Sequence, residues 1–106
     1  MIGRLLLAGL ALLLMASAAA AEAQHGKLVF QRWCSHCHSD QASAPGRLRL
    51  GWHRGEQFAR LEQRQDLDAA TITRVVRLGQ VEMPAFRATE VSDGDLAALI
   101  VYLTHQ

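Results

Sequence analysis

The hydrophobic pattern changes character several times along the chain. From Leu5 to Met15 apolar residues run almost unbroken, and small residues continue to Ala23. From His25 to Trp33 they recur at helical spacing. Gly26, Phe30, Trp33 and Cys37 share one side with Val29 beside them, which predicts a short helix. Glycine costs helix stability, so Gly26 marks either a close approach of another backbone or a frayed helix start. Residues 39–55 fit neither period; Ser43, Pro45, Gly46 and Gly51 make this stretch a predicted loop. Glu56 to Arg64 reads as a modest polar helix anchored only by Phe58 and Leu61.

The second half is better patterned. Asp66 or Asp68 caps a helix running to Leu78, with Ile72, Val75 and Val76 on one stripe and Gly79 as its stop. Arg74 and Arg77 fall outside that stripe and read as solvated charges. Gln80 to Val91 has no period. Ser92 then caps a helix over Asp93–Thr104, with acidic residues in its first turn and Leu96, Leu99, Ile100 and Leu103 on its buried stripe. Tyr102 lies off the centre of that stripe, where it can pack on the first helix. The expected fold class is all-α, helices and loops without strand, internal repeat or linker.

The 106 residues hold one domain, and part of the length reads as something other than fold. Arg4, the apolar run and Ala21-Glu22-Ala23 have the layout of a secretory signal peptide covering residues 1–23, cut before Gln24 or, alternatively, before Glu22. An uncleaved membrane anchor is the competing reading, because Leu5 to Ala21 carries no charge; that run is at the short end for a span and only weakly apolar in its second half. Export places the two cysteines in an oxidising compartment, the periplasm. The remaining domain, residues 24–106, has about 80 residues, a size at which a core commonly needs a staple.

Cys34-Ser35-His36-Cys37-His38 is C-x-x-C-H, the attachment sequence for a c-type haem. Two thiols at this spacing reach the two vinyl groups on one porphyrin edge, and the following imidazole, His38, is placed to bind iron. Three other chemistries compete for these residues. A structural disulfide and a thioredoxin-like redox pair use the same spacing, although no strand leads into Cys34 as the latter requires. A structural zinc site would need further ligands, and His53 and His105 stand alone.

Other candidates cluster around that motif. The carbonyl of Pro45 could accept a hydrogen bond from the second ring nitrogen of His38, the partner a metal-bound histidine usually has; a proline merely shaping a turn is the alternative. Trp52 and His53 are candidates to cover the haem edge, with the Trp52 indole offered to a propionate; unspecialised loop packing competes for both. Met1 and Met15 belong to the leader, which leaves Met83 as the one methionine of the domain. A lone methionine is ordinarily core filler. One on a loop and followed by Pro84, which discourages helix, is better explained as the second axial iron ligand.

Together these residues resemble a class I cytochrome c. The likeness rests on Gly26-x-x-x-Phe30-x-x-x-Cys34-x-x-Cys37-His38, Pro45, Met83-Pro84 and a final helix ending Tyr102-Leu103. It implies a cytochrome c fold of three to five short helices around one covalent haem c, with the first and last helices crossing at Gly26 and Phe30. The section Ile72 to Leu103, with Arg74-Val75-Val76-Arg77-Leu78-Gly79 and Met83-Pro84-Ala85-Phe86, is similar to the small cytochrome subunits and partners of periplasmic dehydrogenases, such as that of p-cresol methylhydroxylase. The chain departs from them in a longer arginine-rich stretch from Arg47 to Arg64.

The resemblance implies single-electron transfer rather than enzymatic turnover. The expected donor is a flavin- or quinone-dependent dehydrogenase, and the expected acceptor a cytochrome or an oxidase. If Met83 does not bind iron, the alternative is a gas sensor or a peroxidase-like enzyme with an open sixth position, using His53 or an arginine. A formal net charge of +1, with no long basic run, speaks against a nucleic-acid partner. No membrane span is expected once the leader is removed.

Overall fold

The computed structural model describes residues 1–105. It has five α-helices in the order α1 (Ile2–Trp33), α2 (Ser35–His38), α3 (Pro45–Arg54), α4 (Ala69–Leu78) and α5 (Asp93–Leu103). Two 3-10 turns, Glu56–Phe58 and Leu61–Gln63, lie between α3 and α4. Among the described residues there is no strand, only an isolated bridge between Gln80 and Met83. The all-α expectation is met.

The first helix begins far earlier than its amphipathic part. No proline interrupts the alanine- and leucine-rich leader, so the helix runs unbroken from Ile2 through Trp33. Only Gly26, Val29 and Phe30 of it are buried. By length and composition α1 could cross a membrane, and none of its apolar N-terminal window packs on the domain.

Packing of α1 on α5 is the main helix contact. A Cβ on Gly26 would overlap the Ala98 carbonyl oxygen and stand 2.8 Å from the Tyr102 Cβ, so the close-approach reading of Gly26 is the right one. One turn on, Phe30 meets the Tyr102 ring with centroids 5.9 Å apart, and directly before Gly26 the His25 Nε2 lies 2.8 Å from Asp95 Oδ1. The core joins Val29 and Phe30 to Ile72, Val76, Val91, Leu96, Leu99 and Leu103. Full burial of each large side chain is worth roughly 1.5–3 kcal/mol.

Caps set the later helices. The Asp68 carboxylate accepts from the Thr71 backbone N–H at 2.7 Å, and Ser92 Oγ accepts from that of Asp95 at 3.0 Å. Of the two proposed caps for α4, Asp68 is therefore the one used, and Gly79, at φ 71°, closes the helix as expected.

Two expectations fail here. Residues 45–54, read as part of a loop, form α3. Pro45 occupies its first turn, where the missing N–H costs nothing, and extended Ala44 (ψ 123°) is the conformation a residue before proline prefers. The polar helix expected from Glu56 to Arg64 is instead two 3-10 turns separated by fully buried Ala59. Around it, the Arg54 and Arg64 guanidinium groups lie over the Phe58 ring at 5.7 and 5.3 Å.

Candidate haem site

α2, α3, α4, α5 and the 80–86 loop enclose a cavity of about 840 Å³. Cys34, Cys37 and His38 line it from the junction of α1 and α2, and Met83 from the loop after α4. Ile72, Val76, Leu99 and Leu103 form apolar wall between them. The volume is within the range of sites that take an organic cofactor, about 300–1,000 Å³.

α2 is a single turn continuing α1 almost without a break: the Cys34 N–H donates to the Phe30 carbonyl at 2.9 Å, and the His38 N–H to the Cys34 carbonyl at 2.9 Å. Both cysteines and His38 are thereby presented on one short helical stretch. Burial, then the neighbouring Cys37, push the Cys34 thiol up to about 11. A protonated, shielded thiol is a poor attacking nucleophile, which counts against the thioredoxin-like reading. The two thiols are free, and among the described residues no group of three or more His, Cys, Asp and Glu could hold a metal ion.

Burial lowers the pKa of His38, which favours its neutral form. Its Nδ1 is buried and has no hydrogen-bond partner. The bond expected from this ring to the Pro45 carbonyl is not formed. Pro45 does line the cavity, but as the first residue of α3 its carbonyl is committed to the helical ladder. The imidazole instead abuts Gly46, where a Cβ would stand 2.7 Å from His38 Cε1, 2.8 Å from Nδ1 and 2.7 Å from the Cys37 carbonyl oxygen. A half-buried imidazole with a buried, orphaned nitrogen, beside two thiols and facing an apolar cavity, suits a metalloporphyrin.

Met83 closes a tight turn. The Gln80 and Met83 backbones exchange hydrogen bonds at 3.0 and 2.9 Å, with Val81 at φ 52° between them. A Cβ on Gly79 would come within 2.6 Å of the Met83 carbonyl oxygen. Three residues later the Phe86 N–H donates to the Val76 carbonyl at 2.7 Å, and its ring packs edge-on against Trp33 at 6.0 Å. Met83 is thus half-buried on a short arch anchored at both feet.

Some expectations about the surroundings need correction. Trp52 is 72% exposed and does not line the cavity, because on α3 it projects away from the face that carries Gly46, Arg49, Leu50 and His53. The propionate contact expected of it therefore has no support. Arg77 is not a solvated charge: its guanidinium donates to the Phe86 and Val91 carbonyls and to Asp93. Arg49 and Gly46, which the pattern did not single out, reach the site because α3 is a helix. Arg49 pairs with Glu82 at 3.0 Å, joining α3 to the Met83 loop. Gly46 directly after a proline was the one available signal.

The helical fold and this cavity define a class: an all-α c-type cytochrome. Residues 21–103 match the family model described as cytochrome c oxidase, cbb3-type, subunit III, and the chain belongs to that family. Its members' domain carries covalently bound haem c with iron, and the protein is an electron carrier acting between redox proteins. No curated protein and no solved structure matches the chain.

Proposed function

We propose that one haem c would be held by thioethers to Cys34 and Cys37, with His38 and Met83 binding its iron, and that the protein passes single electrons from a periplasmic dehydrogenase to a cytochrome or oxidase. The observation that carries this reading is the convergence of Cys34, Cys37, His38 and Met83 on one apolar-walled cavity, although Met83 lies far along the chain from the other three. Bound there, haem c would supply a one-electron ferrous–ferric couple.

This chain's residues would tune and protect that couple. The neutral imidazole of His38 and the thioether of Met83 are both uncharged, and a thioether favours the reduced iron, raising the potential relative to two imidazoles. Leu99, Leu103, Ile72 and Val76 keep water from the cavity's depth, while exposed Arg54, Arg74 and His53 line it where a partner can approach. The donor would be a flavin- or quinone-dependent dehydrogenase of the kind served by the cytochrome subunit of p-cresol methylhydroxylase, which Ile72 to Leu103 resembles. Residues 1–23 would act as a signal peptide, and the protein would work as an exported soluble carrier or a dehydrogenase subunit.

The ferric protein should show the weak near-infrared sulfur-to-iron band, and Met83→Ala should lose it. Absence of the band from the unmutated protein would remove Met83 from the ligand set. Haem should remain on the polypeptide in a denaturing gel, and should be lost from it in a Cys34→Ala, Cys37→Ala variant. Co-purification with a flavin- or quinone-dependent dehydrogenase would support the donor assignment, and equal reaction with unrelated donors would argue against a dedicated partner.

A further inference from the structure

We propose that Arg77 is a positioning residue for Met83, its guanidinium tying the methionine loop to the helices on either side. The inference rests on Met83 being an iron ligand. Arg77 sits in the last turn of α4, its side chain only 22% exposed. Nη1 donates to the Phe86 carbonyl at 3.1 Å and to the Val91 carbonyl at 2.8 Å, and Nη2 to Asp93 Oδ1 at 2.7 Å in the first turn of α5.

These acceptors are the downstream foot of the Met83 arch, the end of its loop and the start of the next helix. One planar fork therefore fixes three successive points, and it does so where the Phe86 N–H is already bonded to the Val76 carbonyl. The upstream foot is fixed separately by the Gln80–Met83 backbone pair. With the downstream foot released, Met83 would hang from one anchor and its thioether would be free to leave the cavity. A lysine keeps the charge but offers a single nitrogen on a flexible stem, which cannot serve three acceptors set apart like these.

The test uses the full haem-loaded protein in the ferric state at fixed neutral pH, titrated with imidazole while the near-infrared band is followed. Imidazole competes with the thioether for iron, and being neutral it is not favoured merely by loss of a nearby positive charge. Arg77→Met should bind imidazole about tenfold more tightly or more, the ordinary worth of a lost charge-assisted hydrogen bond. Arg77→Lys and Asp93→Asn should fall between it and the unmutated protein. Tyr102→Phe, which loosens α5 from the 61–63 turn without touching the loop, should leave the affinity unchanged. An Arg77→Met protein with unmutated affinity, or a Tyr102→Phe protein whose imidazole affinity rises equally, would overturn the proposal. Should Arg77→Met fail to accumulate, Arg77→Lys and Asp93→Asn decide, and unmutated affinity in both overturns it. A missing band in the unmutated protein overturns the Met83 assignment and this inference together, whereas a present band with a flat Arg77 series overturns only the positioning role.

Discussion

Gly46 lies against the imidazole of His38 with no room for a single carbon between them: a Cβ would stand 2.8 Å from Nδ1. Gly46→Ala should therefore displace the ring, although alanine is the better helix former. Overpacking of this kind costs about 1–3 kcal/mol, enough to lower Tm by roughly 5–15 °C in a domain this small. Covalent haem should be retained while the axial-ligand spectrum changes. Gly51→Ala, in the same helix, is the control. Its Cβ would meet the flexible end of Glu56 at 3.1 Å and Ala59 Cβ at an ordinary 3.7 Å, so its helix propensity should show as a gain of about 0.5–1 kcal/mol. Thermal unfolding and visible spectra of the two variants check the opposite signs.

Gly26→Ala should be the more damaging glycine change. The added carbon would overlap backbone rather than a side chain, with the Ala98 carbonyl carbon 2.6 Å away, so α1 and α5 would have to separate. A loss of about 3 kcal/mol or more is expected from such overpacking, read as the denaturant midpoint of the haem-loaded protein.

Alkaline stability should depend on Tyr102. Its hydroxyl donates to the Glu62 carboxylate, and burial together with that neighbour pushes its pKa from 10.0 up to about 12. The folded state thus holds the phenol proton more tightly than the unfolded chain. That contribution is complete below pH 10 and is lost as pH rises toward about 12. Tyr102→Phe should be less stable at neutral pH and should show a flatter decline above pH 10, measurable as Tm against pH.

Without its prosthetic group the domain should not hold this fold. A cavity of about 840 Å³ among so few core residues is too large to stay open, and burial by the remaining side chains is marginal at this size. The Cys34→Ala, Cys37→Ala variant should show little helical circular dichroism and no cooperative thermal transition; native-like helicity with a sharp transition would contradict this.

The parts of the fold that could be read from sequence are those set by local chemistry. Ile72 and Val76 at helical spacing, the Asp68 and Ser92 caps and the Gly79 stop place α4 and α5 almost to the residue. Cys34, Cys37, His38 and Met83 could be singled out by residue type, and the fold brings all four to one cavity. What the pattern did not reveal depends on contacts between distant segments. α3 carries two glycines and starts on a proline, and with Ala44 and Ala59 buried at its ends and Gly51 close to Ala59, packing favours a helix that propensity alone would not. Missing that helix put Trp52 in the wrong place and hid Gly46 and Arg49. Arg77 looked solvated because its acceptors are backbone carbonyls of a loop without period, which no side-chain spacing can announce.

The unbroken course of α1 has a mechanical consequence. While residues 1–23 remain attached, they form a stiff stalk of roughly 30 Å that is one rod with the helix carrying Phe30 and Trp33. A domain mounted that way cannot swivel, so its cavity mouth would face a direction dictated by the stalk. Cutting the stalk would release the domain to tumble, and with that rotational freedom it could turn the same mouth first to a donor and then to an acceptor.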